Sequence, residues 1–357
     1  MLSVLTWLGP IFTVQASPAQ DCGGRRARAV TVAGHGSGAL DSDDDPDVRA
    51  AALEVLLGVG SVVPHTDADG LAAGAISLRA RRESATAAVL LGRGETPFGR
   101  EPPLPPGSVA VLDWGVRELA PPGLLVDHHA PEAEPGPDQI VVSGYGAEPE
   151  LSTAPLMRRL VPEAPAWLAA VGAVSDLGDA GLRLPECEGT PKIATRKLAS
   201  LVSAPRRLLD GPVREALALL VESDGPKAAL ADPRAQLLED AKREWRAGLE
   251  AAMKTAPRVG SAVALVRFSS PYQVHPLVAQ AWQRRLAPRV VLAANDGYLP
   301  GRVNFAMRGG ESDLRELLRG ALPDLGGEFA HGHDRATGGS IDPRDFDRLL
   351  ATFGLAP

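Results

Sequence analysis

The stretch GLLVDHHAPE, residues 123–132, carries the clearest signal for the fold in this sequence. Its apolar run ends abruptly in one carboxylate and two imidazoles, those of Asp127, His128 and His129. Because neighbouring residues on a strand point to opposite faces, two adjacent histidines serve one site only if the strand has ended and the chain has turned. Open α/β sheets bind their ligands at the carboxyl ends of their strands. The stretch therefore predicts a strand that ends in a functional site.

The segments around this stretch alternate between apolar strands and helices. Strands are predicted at 60–65, 85–92, 109–115, 123–129 and 138–146, and helices at about 48–57 and at 71–83, 152–160 and 165–176. Ser152 or Thr153 is expected to cap the third of these helices. Fully apolar strands that alternate with helices are typical of a parallel sheet that is covered on both faces. The predicted fold class is α/β, with helices on both faces of a parallel sheet.

A charged segment separates this pattern from a second one. Strands are then predicted at 261–268, 289–296 and 302–308, and helices at 275–286 and 312–322, before a glycine-rich stretch and a last helix. A chain of 357 residues is long enough for two domains. The predicted organisation is a poorly ordered N-terminal segment at 1–45, a first α/β domain at 46–220, a linker helix at 221–256, and a smaller α/β domain at 257–357.

Charge and cysteine content exclude several classes of function. The net charge of −7 argues against a generic basic coat for nucleic acid, although bound divalent metals can supply local positive charge for a phosphate ligand. The sequence has two cysteines, so neither a disulfide framework nor a cysteine metal site is expected. The apolar N-terminal stretch lacks basic residues and is too short to span a membrane. We therefore predict a cytoplasmic protein with no membrane partner.

Carboxylates and imidazoles follow several of the predicted strands. Because the carboxyl ends of parallel strands meet at one edge of a sheet, we expect these side chains to converge in one crevice. A mixed set of imidazole and carboxylate groups favours Mn²⁺, Zn²⁺ or Fe²⁺ over Ca²⁺. Six ligands are too many for one ion that also holds water, so two ions that share a carboxylate are predicted. The candidate side chains at these strand ends and at the end of the helix at 165–176 are His65, Asp67, Asp69, Asp113, Asp127, His128, His129 and Asp176.

Four ordered motifs carry a resemblance to a known family. HTDADG at 65–70, VLDWG at 111–115, VDHH at 126–129 and AVSDLGD at 173–179 resemble the motifs of the DHH phosphoesterase superfamily, and most closely those of its RecJ-type nuclease branch. HGHDRATGG at 331–339 resembles the glycine-rich motif of the substrate-binding domain that follows in that branch. The resemblance covers roughly residues 55–357.

The resemblance implies a role for each residue of the site. His65 and Asp67 would bind one metal, and Asp69, His128 and Asp176 the other, with Asp113 as the bridging ligand. The implied cofactor is a pair of Mn²⁺ ions, for which Mg²⁺ or Co²⁺ could substitute. His129 would contact the scissile phosphate and protonate the leaving oxygen. Asp127 would orient a histidine, as metal-site imidazoles usually require.

The second domain is expected to bind the substrate. Arg302 and Arg308 flank an apolar strand and fit a phosphate clamp, although a solvated strand edge is an equal alternative. His275 either caps the helix that begins near Pro276 or reaches the substrate. Glycines, Gly326 and Gly327 among them, would let backbone N–H groups approach a phosphate. The complete predicted set is Arg302, Arg308, Asn304, His275, His333, Gly332, Gly338 and Gly339.

These observations lead to one predicted function and two alternatives. The prediction is a manganese-dependent phosphodiesterase or exonuclease that hydrolyses single-stranded DNA or RNA, mainly short oligonucleotides from the 5′ end, by a two-metal mechanism. An alternative with the same chemistry is a phosphoesterase that acts on cyclic dinucleotides or on 3′-phosphoadenosine 5′-phosphate. An alternative of another class is a catalytically silent subunit that binds nucleic acid. Whether the protein forms a homodimer is left open.

Overall fold

A computed structural model describes residues 31–33, 46–99, 103–136, 138–260, 263–310, 313–325 and 329–355. The chain divides into two compact units, one of residues 1–203 with 212–238, the other of residues 204–211 with 239–357. Within the predicted N-terminal segment, Thr31–Ala33 form a strand, and the rest of residues 1–45 lies outside the described residues. No helix in the described ranges is both long and apolar enough to cross a membrane.

The first unit is built on a parallel sheet of five strands. The strand order is β1-β5-β4-β3-β2, and every pair in this sheet is parallel. The predicted α/β class and parallel sheet are therefore confirmed. The strands are β1 (Thr31–Ala33), β2 (Ser61–Pro64), β3 (Val109–Leu112), β4 (Gly123–Asp127) and β5 (Gln139–Ser143).

Helices cover one face of this sheet. They are α1 (Pro46–Gly58), α2 (Ala68–Ala80), α3 (Thr153–Leu160), α4 (Ala166–Leu177), α5 (Lys192–Val202), α6 (Val213–Glu222) and α7 (Pro226–Ala231). Their buried residues form one core with alternate strand residues such as Ala110 and Leu124. Helices were also predicted on the opposite face. Among the described residues, this face packs instead against segments that are not helical, with Phe98, Leu104 and Leu119 lying over β3 and β4. Both faces are thus buried, which explains the apolar strands.

Two elements predicted before residue 257 differ in the structure. The strand predicted at 85–92 is a short 3-10 turn, Ala85–Ala87, followed by a single bridge between Ala88 and Val62. The linker helix predicted at 221–256 is broken between α7 and α8 (Ala235–Ala252). Asp232 is extended there because Pro233 follows it, and the residue before a proline disfavours the helical region.

The second unit holds a mixed sheet of six strands in the order β10-β11-β9-β8-β7-β6. The strands are β6 (Arg258–Val259), β7 (Val263–Phe268), β8 (Val290–Asn295), β9 (Val303–Arg308), β10 (Ala330–His333) and β11 (Ala336–Ile341). The helices are α9 (His275–Leu286), α10 (Leu314–Ala321) and α11 (Pro343–Thr352). Asp313 and Asp342 cap α10 and α11 by accepting backbone N–H groups of the first turn, which fixes where these helices begin.

The glycine-rich stretch, where no strand was predicted, forms the antiparallel hairpin of β10 and β11. Gly338 and Gly339 lie on β11 between β10 and β9, so their backbone groups face neighbouring strands. A side chain at Gly338 would overlap with Phe305 O, and one at Gly339 with Phe329 O. Close approach of the strands therefore accounts for these two glycines.

Candidate metal centre

Seven side chains predicted from the sequence meet at the carboxyl edge of the first sheet. Two backbone hydrogen bonds continue the ladder just past the strand ends and hold the chain there. His65 N donates to Leu112 O over 2.9 Å, and Asp113 N donates to Val126 O over 3.0 Å. The side chains of the cluster are those of His65, Asp67, Asp69, Asp113, His128, His129 and Asp176, and they form three overlapping groups of metal-ligand type.

Asp113 lies at the centre of the cluster. Its backbone has a φ of 69°, in the left-handed region that few residues other than glycine adopt, and its side chain is 2% exposed. One carboxylate oxygen, Oδ2, is 3.7 Å from His65 Nδ1. The other, Oδ1, is 3.6 Å from His128 Nε2 and 4.0 Å from His129 Nδ1. The two oxygens of Asp113 therefore face different groups, as a bridging carboxylate requires.

The group on the Oδ2 side of Asp113 contains His65 and Asp67. His65 Nδ1 lies 2.9 Å from Asp67 Oδ2, and the Trp114 ring packs edge-on against the imidazole with centroids 4.8 Å apart. Asp67 caps α2, since its Oδ1 accepts Gly70 N over 3.1 Å. The cap and the aromatic contact fix the orientation of both side chains.

The second group contains Asp69, His128 and Asp176, the last in the final turn of α4. His128 Nε2 is buried and lies 3.4 Å from Asp176 Oδ2. Among the described residues, this atom makes no hydrogen bond. A buried polar atom normally has a partner. The unsatisfied Nε2, surrounded by carboxylate oxygens, is the donor arrangement expected of an imidazole that binds a metal ion.

His129 and Asp127 form a separate hydrogen-bonded pair. Asp127 Oδ1 accepts His129 N over 2.6 Å and lies 3.0 Å from His129 Nδ1, while its Oδ2 accepts Gly115 N over 2.7 Å. Burial raises the pKa of Asp127, but these hydrogen bonds outweigh it and leave the pKa below its ordinary value. The ionised carboxylate holds the His129 ring by Nδ1. His129 is the most exposed of the three site histidines, at 39%.

The donor set fits a pair of divalent cations. Three aspartates with little or no exposure, Asp69, Asp113 and Asp127, lie within one crevice. Burial raises the pKa of Asp69 to about 7, and burial together with the neighbouring charges of Asp67 and Asp69 raises the pKa of Asp113 well above its usual range. Divalent cations favour ionised carboxylates at such a site and reverse these shifts. The observed cluster and the unsatisfied His128 Nε2 are therefore consistent with metal binding.

These pKa shifts predict how the stability of the metal-free protein depends on pH. The folded protein retains a proton on Asp69 over roughly pH 4 to 7, where the unfolded chain has lost it, and the raised pKa of Asp113 adds to this effect. His128 acts in the same direction: burial lowers its pKa, but Asp176 and Asp69 outweigh burial and raise it to about 9. Stability should therefore fall as pH rises from about 5 to 9.

Calorimetry in a chelating buffer is the measurement, and we expect the melting temperature to be several degrees higher at about pH 6 than at about pH 9. Mn²⁺ should remove most of this difference, because the metal takes the place of the protons. Asp113→Asn lacks one of these carboxyl groups, so its melting temperature without metal should differ less between the two pH values. A melting temperature that rises over this range would contradict the assignment of the buried aspartates.

The substrate-binding residues predicted in the second unit differ in their surroundings. Arg302 is exposed and donates to Ser340 O, which agrees with the alternative of a solvated strand edge. Arg308 is partly buried and its Nη1 donates to Met307 O and Thr337 O over 3.0 and 3.3 Å. Asn304 lies four residues earlier on β9, is 5% exposed, and its Oδ1 has no hydrogen-bond partner in the described ranges.

His275 is the first residue of α9 and does not cap it, because Val274 occupies the cap position. The side chain is 6% exposed, and its Nδ1 has no hydrogen-bond partner in the part of the chain that the structure describes. Burial, with the charges of Arg207 and Arg308, lowers the pKa of His275 to about 3. His275 is therefore a neutral, buried imidazole with a donor or acceptor to spare.

The remaining predicted residues lie on or near the hairpin. His333 and Gly332 are on β10, and Gly338 and Gly339 are on β11. Gly326 and Gly327 lie outside the described residues.

Comparison with solved structures places this architecture among known folds. No family model matches the sequence, and no curated protein matches it either. An exonuclease RecJ bound to manganese has a TM-score of 0.55 and 19% identity, over 87% of this chain and 94% of that one. The chain has the RecJ-type DHH fold. RecJ from Thermus thermophilus in complex with Mn²⁺ gives a TM-score of 0.57 at 19% identity, over 87% of this chain.

A solved structure that is not a RecJ also shares this fold. The DHH domain of a member of a family of ribosomal proteins matches with a TM-score of 0.53 at 16% identity, over 87% of this chain and 89% of that chain. The present chain spans about half, 55%, of the Thermus thermophilus RecJ chain. At these identities the likeness establishes the fold, and the chemistry is argued from the site residues.

Sequence reasoning missed three residues that touch this cluster. Trp114 packs on His65, and Ser152 and Thr153 donate hydrogen bonds to Asp69 and Asp113. Trp114 could have been noticed from its place directly after Asp113. From the sequence, Ser152 and Thr153 were recognised only as possible helix caps. Their hydrogen bonds to Asp69 and Asp113 could not be predicted, because they join positions 40 to 84 residues apart in sequence.

Proposed function

We propose that the protein is a metal-dependent phosphodiesterase that hydrolyses short single-stranded oligonucleotides, from the 5′ end, with two Mn²⁺ ions. The observation that carries this proposal is the position of Asp113, whose two oxygens face two different groups of ligand-type side chains beside the His129–Asp127 pair. The fold that the chain shares with an exonuclease RecJ bound to manganese supports the same reaction class.

The residues of the chain divide the chemical work. His65, Asp67 and Asp113 would hold one metal ion, and Asp69, Asp113, His128 and Asp176 the other. When bound, such ions supply Lewis-acid activation of water and neutralise the charge that develops on a phosphodiester. Asp127 orients the His129 imidazole through Nδ1 and favours its protonated form. His129 would then contact the scissile phosphate and donate the proton that the leaving oxygen requires.

Two features favour a short substrate. The net charge of −7 gives little long-range attraction for a polyanion. Aromatic residues are 4% of the sequence, which limits base stacking along an extended strand. Binding energy should therefore saturate after a few nucleotides.

Residues of the second unit are proposed to bind the substrate. The neutral His275 and the amide of Asn304 each have an unsatisfied buried atom among the described residues, and Arg308 lies close enough to His275 to lower its pKa. A phosphate or sugar hydroxyl could satisfy these groups, since a buried polar atom without a partner is costly. His333, Gly332, Gly338 and Gly339 remain part of the proposed set on the strength of the sequence resemblance. Arg302 remains in it because a guanidinium group matches phosphate oxygens.

The test is a substrate panel in the presence of Mn²⁺. Single-stranded DNA and RNA of about two, five, ten and thirty nucleotides, labelled at either end, are compared at one salt concentration with cyclic dinucleotides and 3′-phosphoadenosine 5′-phosphate. We expect catalytic efficiency to level off beyond roughly five nucleotides, with product released first from the 5′ end.

Each other outcome of the panel has a definite meaning. A steep rise in efficiency from about five to thirty nucleotides would replace this proposal with a long-strand exonuclease. Hydrolysis confined to cyclic dinucleotides or to 3′-phosphoadenosine 5′-phosphate would identify a small-molecule phosphoesterase. Binding without hydrolysis of any probe would identify a catalytically silent subunit.

A further inference from the structure

We propose that Thr153, at the start of α3, is a positioning residue for both metal centres, and that Ser152 assists it by holding Asp69. This inference rests on the proposed two-metal function, because it concerns how the chain prepares its carboxylates for the ions. Thr153 is fully buried and donates two hydrogen bonds, one to Asp69 and one to Asp113. It is thus joined to Asp69, a proposed ligand of the second ion, and to Asp113, the proposed ligand of both ions.

Asp69 is held by the amino-terminal end of α3. Its Oδ1 accepts Ser152 Oγ over 2.8 Å and Ala154 N over 3.0 Å, and its Oδ2 accepts Thr153 N over 2.6 Å. Asp69 thereby satisfies the N–H groups that the first turn of a helix leaves without intrahelical partners. Ser152 occupies the cap position of α3, but its hydroxyl makes no capping bond and is directed to Asp69 instead.

Asp113 is held by a single hydroxyl. Thr153 Oγ1 donates to Asp113 Oδ1 over 2.9 Å, on the side of the carboxylate that faces His128. The hydroxyl carries one proton, and an ionised carboxylate can accept it while other lone pairs remain for metal ions. This hydrogen bond fixes the side-chain torsion of Asp113, so that Oδ1 faces one group of ligands and Oδ2 the other.

A glycine on α4 makes room for this arrangement. A Cβ atom at Gly172 would overlap with Asp69 Oδ1 and would crowd the Cβ of Ala154. The start of α3, the Asp69 carboxylate and α4 therefore meet at a contact that has no space for a methyl group. The close approach is built into the core of the first unit and does not depend on a surface loop.

The physical reason for such support is the repulsion that arises when the carboxylates ionise to bind a metal ion. Ionised carboxylates at this spacing repel one another, and without fixed donors they would turn apart. Donors that stay in place hold the ligand geometry before a metal ion arrives, so less order has to be created on binding. Removing an outer hydrogen-bond partner of a metal ligand typically lowers metal affinity by about 10- to 100-fold.

The experiment compares Thr153→Val with Thr153→Ser and with Thr195→Val. Valine has the shape of threonine without the hydroxyl, and serine restores the hydroxyl. Thr195 is a matched control, because it is also fully buried in the first unit and its hydroxyl donates to a backbone carbonyl, Pro191 O, over 3.1 Å. Mn²⁺ binding to the chelator-treated full chain is measured by calorimetry, and the metal-free melting temperature of each protein is recorded beside it.

We expect Thr153→Val to bind Mn²⁺ about 10- to 100-fold more weakly than the wild type, with Thr153→Ser close to the wild type and Thr195→Val unchanged in affinity. Equal Mn²⁺ affinity in folded Thr153→Val and wild type would overturn the inference, and a lowered melting temperature alone would show that the hydroxyl is merely structural. If Thr153→Val does not fold, Ser152→Ala, which removes one of the three donors to Asp69, must show the loss of affinity instead.

A wrong proposal for the enzymatic function can be distinguished from a wrong role for Thr153. A wild-type protein that binds Mn²⁺ but hydrolyses no phosphodiester would refute the enzymatic proposal, whereas the affinity comparison between Thr153→Val and Thr195→Val would still decide the role of Thr153. Where hydrolysis is present, the turnover number of Thr153→Val at saturating Mn²⁺ should recover more fully than at limiting Mn²⁺. A positioning role acts through the metal site and predicts this recovery.

Discussion

Asp113→Asn is expected to lower the turnover number by several orders of magnitude while the protein remains folded. The two oxygens of Asp113 face separate groups of ligand-type side chains, so one substitution removes a charged ligand from both. An asparagine side chain has nearly the same shape and can still accept the hydrogen bond from Thr153 through its carbonyl oxygen. The loss therefore reports the charge and the metal-binding capacity of the carboxylate, measured as the turnover number together with bound Mn²⁺.

Asp179→Asn is the matched control for this substitution. Asp179 lies three residues from Asp176, is exposed, and forms an ion pair with Arg196 instead of joining the cluster. Its loss should leave turnover and metal content within error of the wild type, because exposed ion pairs contribute little. Retention of substantial turnover by Asp113→Asn, with two Mn²⁺ still bound, would rule out Asp113 as the shared ligand.

His129→Ala should reduce turnover by about 10²- to 10⁴-fold and leave metal content unchanged. The His129 ring is tied to Asp127 through Nδ1 and is 39% exposed, whereas His128 Nε2 is buried among carboxylates. Although burial lowers the pKa of His129, the hydrogen bond from its ring to Asp127 raises the pKa above its ordinary value overall, which favours the protonated ring that a proton donor requires. The measurement is the turnover number beside the Mn²⁺ content of the purified protein.

His129→Gln separates two explanations of that loss. Glutamine can still donate a hydrogen bond to a phosphate, but its amide cannot release a proton to a leaving oxygen. We expect His129→Gln to be as slow as His129→Ala. If the glutamine variant is nearly as fast as the wild type, His129 acts by contact alone. If either variant loses a metal ion, the roles of His128 and His129 have been exchanged.

The positions of the site residues could be predicted from sequence because their signals are local. An apolar run that stops at a carboxylate or imidazole marks a strand end, and a parallel sheet brings such ends to one edge. His65, Asp113 and His128 therefore lie where the strand pattern predicted. The bounds of α9, His275–Leu286, were also predicted, because apolar periodicity and Pro276 in the first turn are signals within the helix itself.

Other features depend on contacts between distant residues and left no such signal. The segment at 85–92 reads as a strand, but only Ala88 pairs with β2, through the bridge to Val62. The hairpin of β10 and β11 is glycine-rich, so its strand character comes from pairing with β9 and not from side-chain propensity. The hydrogen bonds from Ser152 and Thr153 to Asp69 span more than 80 residues, and a local cap was the simpler prediction.

Titration of the metal-free protein with Mn²⁺ tests the central claim most directly. The claim is that the chain holds two ions around a shared Asp113, and calorimetry with electron paramagnetic resonance gives both the number of ions and the coupling between them. The account predicts two Mn²⁺ per chain, magnetically coupled because one carboxylate joins them, and a rise in melting temperature with added metal. Binding of a single ion, or of none, by the protein with all six ligands intact would contradict it.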